Sequence, residues 1–222
     1  KEISPELYTV LKEADQISRL SNGAFDITVG PLVNLWGFGT EGNKRHQPDM
    51  EQITKRKKRI GHQNLLLKEN PHSAKKKIPD LYCDLSGIAK GYGVDVVADY
   101  FDSVGINNYL VEVGGEIRAR GKNLSFNDWR IGVQSPNAEQ GIFCAISVSN
   151  RALATSGDYQ NYFEENGERF SHTIDPVTGK PISHKLASVT VVHELCMTAD
   201  AFATAINVLG PEKGLELAKE QE

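Results

Sequence analysis

The stretch YLVEVGGEIRAR, residues 109–120, decides the class of fold. Tyr109–Val113 and Glu116–Arg120 read as strands on either side of Gly114-Gly115, a pair that makes a turn or lets backbone approach a ligand closely. Working downstream, Trp129–Gln134, Ile142–Ser149, Arg151–Thr155, Arg169–Ile174 and Ser188–His193 are expected as further strands. Ala199–Leu209 then reads as a helix, and Pro211 starts a last one with Leu215, Leu217 and Ala218. Working upstream, Ile88 to Phe101 is expected as a helix, and Leu65–Leu67 and Leu81–Cys83 as short strands around a polar turn at Asn70-Pro71. Asp49 caps a short helix carrying Met50, Ile53 and Ile60, after a Gly-rich loop from Gly30-Pro31 through Trp36-Gly37-Phe38-Gly39 to Gly42. Ser4-Pro5-Glu6 opens the first helix, Leu7, Val10, Leu11, Ala14, Ile17 and Leu20 give it one apolar face, and Asn22-Gly23 stops it. Helices at both ends with adjacent strands between them predict an α+β fold: one compact domain over residues 1–222, with room for two lobes.

Composition sets the outer limits. A chain of 222 residues, 39% of them hydrophobic, buries a sizeable core, which excludes a disordered tail or a disulfide-stapled mini-fold. The 25 Lys+Arg against 29 Asp+Glu leave a net charge of −4, against nucleic acid as a partner. The basic run Lys55-Arg56-Lys57-Lys58-Arg59 lies on a helix without interleaved aromatics and reads as a solvated face, the other reading being a docking patch for an acidic or membrane-bound partner. Cys83, Cys144 and Cys196 contain no CxxC pair, so they read as free or buried thiols. No apolar run approaches the roughly 20 residues of a membrane span. Lys1 stands where Met is usual, so the start is expected to be a processed or trimmed end, with any targeting signal upstream.

Five segments carry candidate chemistry. Cys83-Asp84-Leu85-Ser86-Gly87-Ile88-Ala89-Lys90-Gly91 puts an Asp before a small-residue turn and a Lys inside a helix start, where free N–H groups suit anions; it lacks Walker A spacing, and an ordinary strand–turn–helix junction explains it equally. In Thr198-Ala199-Asp200-Ala201-Phe202-Ala203-Thr204 a carboxylate and a hydroxyl four residues apart share a helix face, as two hard oxygens for Mg²⁺ or as a helix-start Asp and a back-bonded Thr. In Phe170-Ser171-His172-Thr173-Ile174-Asp175-Pro176 a His near a strand end is a base, a phosphate partner or a structural side chain. His46, His62, His72, His184 and His193 have no such setting. The loop from Gly23 to Leu32 and the turn at Gly114-Gly115 complete the set.

In this order, the blocks SNGAFDITVGPL, DLSGIAKGYGVD, VEVGGEIRARG, ATSGDYQNYF, FSHTIDPVTGKP and MTADAFATAINVLG, spanning Ser21 to Gly210, give a chain that resembles the ApbE family of Mg²⁺-dependent FAD:protein FMN transferases. The resemblance implies an α+β flavin-binding fold and transfer of FMN from FAD to a Thr hydroxyl of an acceptor protein, with AMP leaving. It implies that Asp200, Thr204 and the Gly87 carbonyl hold Mg²⁺, that Phe25, Asp26, Ile27, Asp84, Lys90 and Ile174 line the FAD site, and that His172 is the catalytic His, with Asp84 in reserve. Implied partners are FAD and acceptors such as subunits of sodium-pumping NADH:quinone oxidoreductases, without nucleic acid. The implied location is periplasmic, with membrane association only through a lipid anchor outside this chain. A further first segment of the family, with a Met-Gly-Thr-like strand, has no match here, and Thr173 stands where an aliphatic residue is common. FAD hydrolysis to FMN and AMP, and passive flavin binding, are the alternative activities. Asp200, Thr204 and His172 together speak against the passive one.

Overall fold

Ser4 caps α1 (Pro5–Leu20) by accepting the Leu7 N–H at 3.2 Å, and Asn22 and Gly23, both at positive φ, end it as expected. The computed structural model that shows this describes residues 1–41, 44–136, 141–159 and 161–221. Gly42, which ends the expected Gly-rich loop, and Gln160, in the block ATSGDYQNYF, lie outside the described residues.

By its internal contacts the chain divides into two units, the first made of Lys1–Leu85, Asp158–Leu186 and the chain from Ala205 onward, the second of Ser86–Gly157 and Ala187–Thr204. In the first unit, α1 is followed by α2 (Gly30–Leu35) and α3 (Met50–Lys57). Asp49 and Gln52 close a reciprocal capping box at the start of α3, and the basic residues 55–57 fill its last turn, where they face the negative end of the helix dipole. The hairpin of β1 (Leu65–Lys68) and β2 (Ser73–Lys76) corrects one expectation: β1 pairs with the residues just past Asn70-Pro71, and Leu81–Cys83 forms no strand. A turn that tight brings residues 73–76 opposite β1 before residue 81 is reached.

Two further small hairpins follow in this unit: β8 (Tyr162–Glu165) with β9 (Glu168–Ser171), and β10 (Ile174–Asp175) with β11 (Lys180–Pro181). The single strand expected over 169–174 is thus divided, with His172 and Thr173 between β9 and β10. Strand β8 escaped the sequence reading, although Asn166-Gly167, both at positive φ, is a strong hairpin signal. Leu32, Leu35, Trp36, Ile53, Phe170 and Ile174 form this unit's core, and the Trp36 indole N–H donates to the Gly179 carbonyl at 3.0 Å.

In the second unit an antiparallel four-stranded sheet runs in the order β12 (Ser188–His193), β7 (Arg151–Gly157), β4 (Glu116–Arg120), β3 (Tyr109–Val113). Alternation along the strands sends Tyr109, Val111 and Ala152 toward Val94 and Ala98 of α4 (Ala89–Ser103). Leu110, Ala119 and Leu153 join Trp129, Ile131 and Ile146 of the β5 (Trp129–Gln134) and β6 (Ile142–Val148) hairpin. Helix α5 (Cys196–Glu220) begins in this unit three residues earlier than expected and is broken by Gly210 at φ 78° and ψ −178°, just before Pro211. The two expected helices are its two runs. Among the described residues no helix is long and apolar enough to cross a membrane.

Candidate functional site

The second unit gathers Gly87, Lys90, Asp200 and Thr204. Gly87 lies in the turn leading into α4, Lys90 in the first turn of α4, and Asp200 and Thr204 one turn apart on α5. The Gly91 N–H, one of the donors a helix start leaves unpaired, donates to Asp200 Oδ2 at 3.1 Å. That contact needs a glycine: a Cβ on Gly91 lies 2.4 Å from the Cys196 carbonyl oxygen, so α4 and α5 meet backbone to backbone. Asp95, one turn along α4, accepts the Cys196 N–H at 3.0 Å and the Met197 N–H at 2.9 Å, capping α5 from another helix. Arg118 of β4 neutralises Asp95 at 2.9 Å.

Asp200 is buried, and that burial pushes its carboxyl up to about 6, against the Gly91 N–H, which pulls it down. Glu116 adds to the rise and Lys90 opposes it. Glu116 is itself buried and pairs with Lys90, Oε1 to Nζ 2.6 Å, while its Oε2 has no hydrogen-bond partner. A carboxylate whose ionisation burial disfavours and a hydroxyl one turn on, with the negative charge of Glu116 acting on them, fit a hard divalent cation such as Mg²⁺. Among the described residues no three His, Cys, Asp or Glu side chains cluster as a metal site, so a cation here needs the hydroxyl, backbone oxygen, water or ligand to complete its shell.

The first unit holds the other expected residues. Phe25, Asp26 and Ile27 are buried, and the Asp26 carboxylate is committed to folding: Oδ1 accepts the Thr28 N–H at 2.8 Å and its hydroxyl at 2.7 Å, and Oδ2 accepts the His62 N–H at 3.0 Å. The Asp84 N–H donates to the Ile27 carbonyl at 2.6 Å, joining the block at 25–27 to the block at 84. Ile174 sits in the core beside Trp36 and Phe170.

His172 is half-buried, its ring in an edge-type contact with Phe38, centroids 6.4 Å apart. Its backbone N–H and its ring Nδ1 both meet the Asn161 carbonyl, at 3.0 and 3.2 Å. A carbonyl only accepts, so Nδ1 carries the proton and Nε2 keeps its lone pair. Burial lowers the His172 pKa from 6.5, keeping the imidazole neutral near pH 7. Arg45 braces the same loop through Asn161 Oδ1 at 2.8 Å and the Tyr162 carbonyl at 3.1 Å.

Sequence reasoning missed Gly91, Asp95 and Glu116 as parts of this constellation. Nothing local marks the pairing of Glu116 with Lys90, 26 positions earlier in the numbering.

An α+β fold that sets a buried carboxylate against the start of a neighbouring helix is the class of protein this geometry defines. The model of the ApbE family matches residues 1–222, and the chain belongs to that family. The FAD:protein FMN transferase of Vibrio cholerae is 50% identical over 218 residues, 98% of this chain and 65% of that protein. The protein of the same name from Escherichia coli K12 is 41% identical over 222 residues, 99% of this chain and 63% of that one. Among solved structures, the flavin transferase ApbE from Vibrio cholerae matches with a TM-score of 0.90 at 46% identity, over 99% of this chain and 69% of that one. Apo Pseudomonas stutzeri flavinyl transferase ApbE matches with a TM-score of 0.90 at 39% identity, over 100% and 68%. The chain spans 63–65% of the length of the two curated relatives.

Proposed function

We propose that the chain transfers FMN from FAD to a threonine hydroxyl of an acceptor protein, releasing AMP. The observation that carries this is the Asp200 carboxylate, buried on α5, held by the start of α4 and placed one turn before Thr204. The names of the relatives, FAD:protein FMN transferases, supply the substrate class.

Asp200, Thr204 and the Gly87 carbonyl are the proposed holders of Mg²⁺, which when bound there supplies positive charge to a pyrophosphate. Lys90 adds an ammonium contact to the same phosphates. Phe25, Asp26, Ile27, Asp84 and Ile174 line the flavin side, with backbone rather than the occupied Asp26 carboxylate as the polar contact of that segment. The acceptor oxygen attacks the FMN-side phosphorus, the bond to AMP breaks, and Nε2 of His172 takes the hydroxyl proton. A neutral imidazole with a free Nε2 lone pair suits that task. The acceptors we propose are subunits of electron-transport complexes of the sodium-pumping NADH:quinone oxidoreductase kind, in the periplasm.

The test is mass spectrometry of an acceptor domain incubated with FAD, Mg²⁺ and the full chain. Labelled acceptor and AMP are expected in equal amounts, and FMN in place of FAD gives none. AMP without label moves the activity to FAD hydrolysis. Neither product at saturating FAD leaves a passive flavin-binding protein.

A further inference from the structure

Glu116 opens β4 directly after Gly114-Gly115, with its side chain 2% exposed. Oε1 lies 2.6 Å from Lys90 Nζ, and Oε2 is buried without a hydrogen-bond partner. Lys90 is therefore the one cation paired with this carboxylate among the described residues. The turn above closes over the pair: a Cβ on Gly114, whose φ is 60°, lies 3.3 Å from Lys90 Cδ and 3.7 Å from Glu116 Oε2. A buried carboxylate held by one ammonium is an expensive arrangement, and replacing both partners is often harmless to stability, so its retention calls for a task beyond folding.

Asp200 points to that task. Lys90 immediately precedes Gly91, whose N–H holds Asp200, and its ammonium lies within electrostatic reach of the Asp200 carboxylate. An ammonium tethered so close is an internal competitor for any cation at Asp200, because it is present at high effective concentration and repels a second positive charge. We propose that Glu116 is a positioning residue that holds the Lys90 ammonium off Asp200 and so keeps that carboxylate open to a divalent cation. The inference rests on the assignment of Asp200 to the cation. It goes further in making the cation affinity depend on a carboxylate that is not itself a ligand.

The prediction has a sign that simple structural damage does not share. Loss of Glu116 frees Lys90 to pair with Asp200 and weakens cation binding. Loss of Lys90 as well removes the competitor and restores it. The test is titration of the full chain with Mn²⁺, without FAD, read by the electron paramagnetic resonance signal of the free ion, with thermal unfolding as the check on folding. Glu116→Gln is expected to weaken Mn²⁺ binding about tenfold. The double variant Lys90→Met/Glu116→Gln is expected to return to within about twofold of wild type. Glu112→Gln, which removes the same charge from an exposed position on β3, is expected to leave the affinity unchanged.

Glu116→Gln binding like wild type, or a double variant as weak as the single one, overturns the proposal. Should Glu116→Gln fail to fold, Lys90→Met decides alone: binding at least as tight as wild type supports the role, and weaker binding overturns it. Equal Mn²⁺ affinity in wild type and Asp200→Asn marks a different failure, that of the cation assignment itself.

Discussion

The backbone N–H of Gly91 and the carboxylate of Asp200 meet at 3.1 Å across 109 residues of sequence. The contact uses a donor that every helix start leaves over, and it aims the carboxylate along the positive end of α4. It also makes the cation chemistry proposed for Asp200 depend on how closely two helices approach.

Asp200→Ala is expected to retain the fold and lose turnover by on the order of 10³-fold, since it removes the one charged ligand proposed for the cation. Thr204→Ala is expected to be milder, because water replaces a neutral oxygen. Near-normal rates from folded Asp200→Ala across a Mg²⁺ titration would contradict the assignment.

Gly91→Ala and Gly93→Ala should act in opposite directions, though both lie in α4. At Gly91 the added methyl meets the Cys196 carbonyl oxygen at 2.4 Å and Met197 Cα at 2.8 Å, so the helices must part at a cost of about 1–3 kcal/mol. At Gly93 nothing lies within 4 Å of the new Cβ, so alanine stabilises the helix by roughly 0.5–1 kcal/mol. Urea unfolding of the two variants beside wild type checks both signs at once.

Asp95→Ala leaves the N–H groups of Cys196 and Met197 without their acceptor and removes one of the two carboxylates on Arg118 Nη1, which keeps Asp99 at 3.0 Å. A loss of about 1–3 kcal/mol is expected. Because the same cap orients the helix that carries Asp200, cation affinity measured on the folded variant should fall with it. Unchanged stability would show that water caps α5 equally well.

His172→Ala is expected to slow the chemical step by about 10²–10⁴-fold with FAD affinity little changed. The pH profile carries a second check. Burial lowers the His172 pKa from 6.5 in the folded chain, so the proposed base is expected to stay competent below pH 6.5, with rate lost only as pH falls through the lowered value. The unfolded chain takes the proton first on acidification, so His172 subtracts stability as pH falls from 6.5 toward that value and subtracts none well above pH 6.5. An acidic limb of the single-turnover profile that His172→Gln leaves in place would assign the limb to another group.

Much of this protein is written locally. Ser4 and Pro5 start α1 and Asn22-Gly23 end it, because a cap and a left-handed turn need only their own side chains and backbone. Strands β3 and β4 follow from the two runs around Gly114-Gly115, and Asp200 and Thr204 share a helix face through spacing alone. Periodicity and caps act between residues a few positions apart, which is why they are legible in a chain read once. Tertiary structure decided the rest. Leu81–Cys83 is as apolar as many strands, yet Ser73–Lys76 reaches β1 first and takes its hydrogen bonds. The carboxylates of Asp26, Asp95, Glu116 and Asp200 are alike in sequence, and only their neighbours separate them: two N–H groups and a hydroxyl for Asp26, a helix start for Asp95, an ammonium for Glu116, one N–H for Asp200. What a buried charge does depends on which donors the fold brings to it, and those donors come from segments that the sequence keeps far apart.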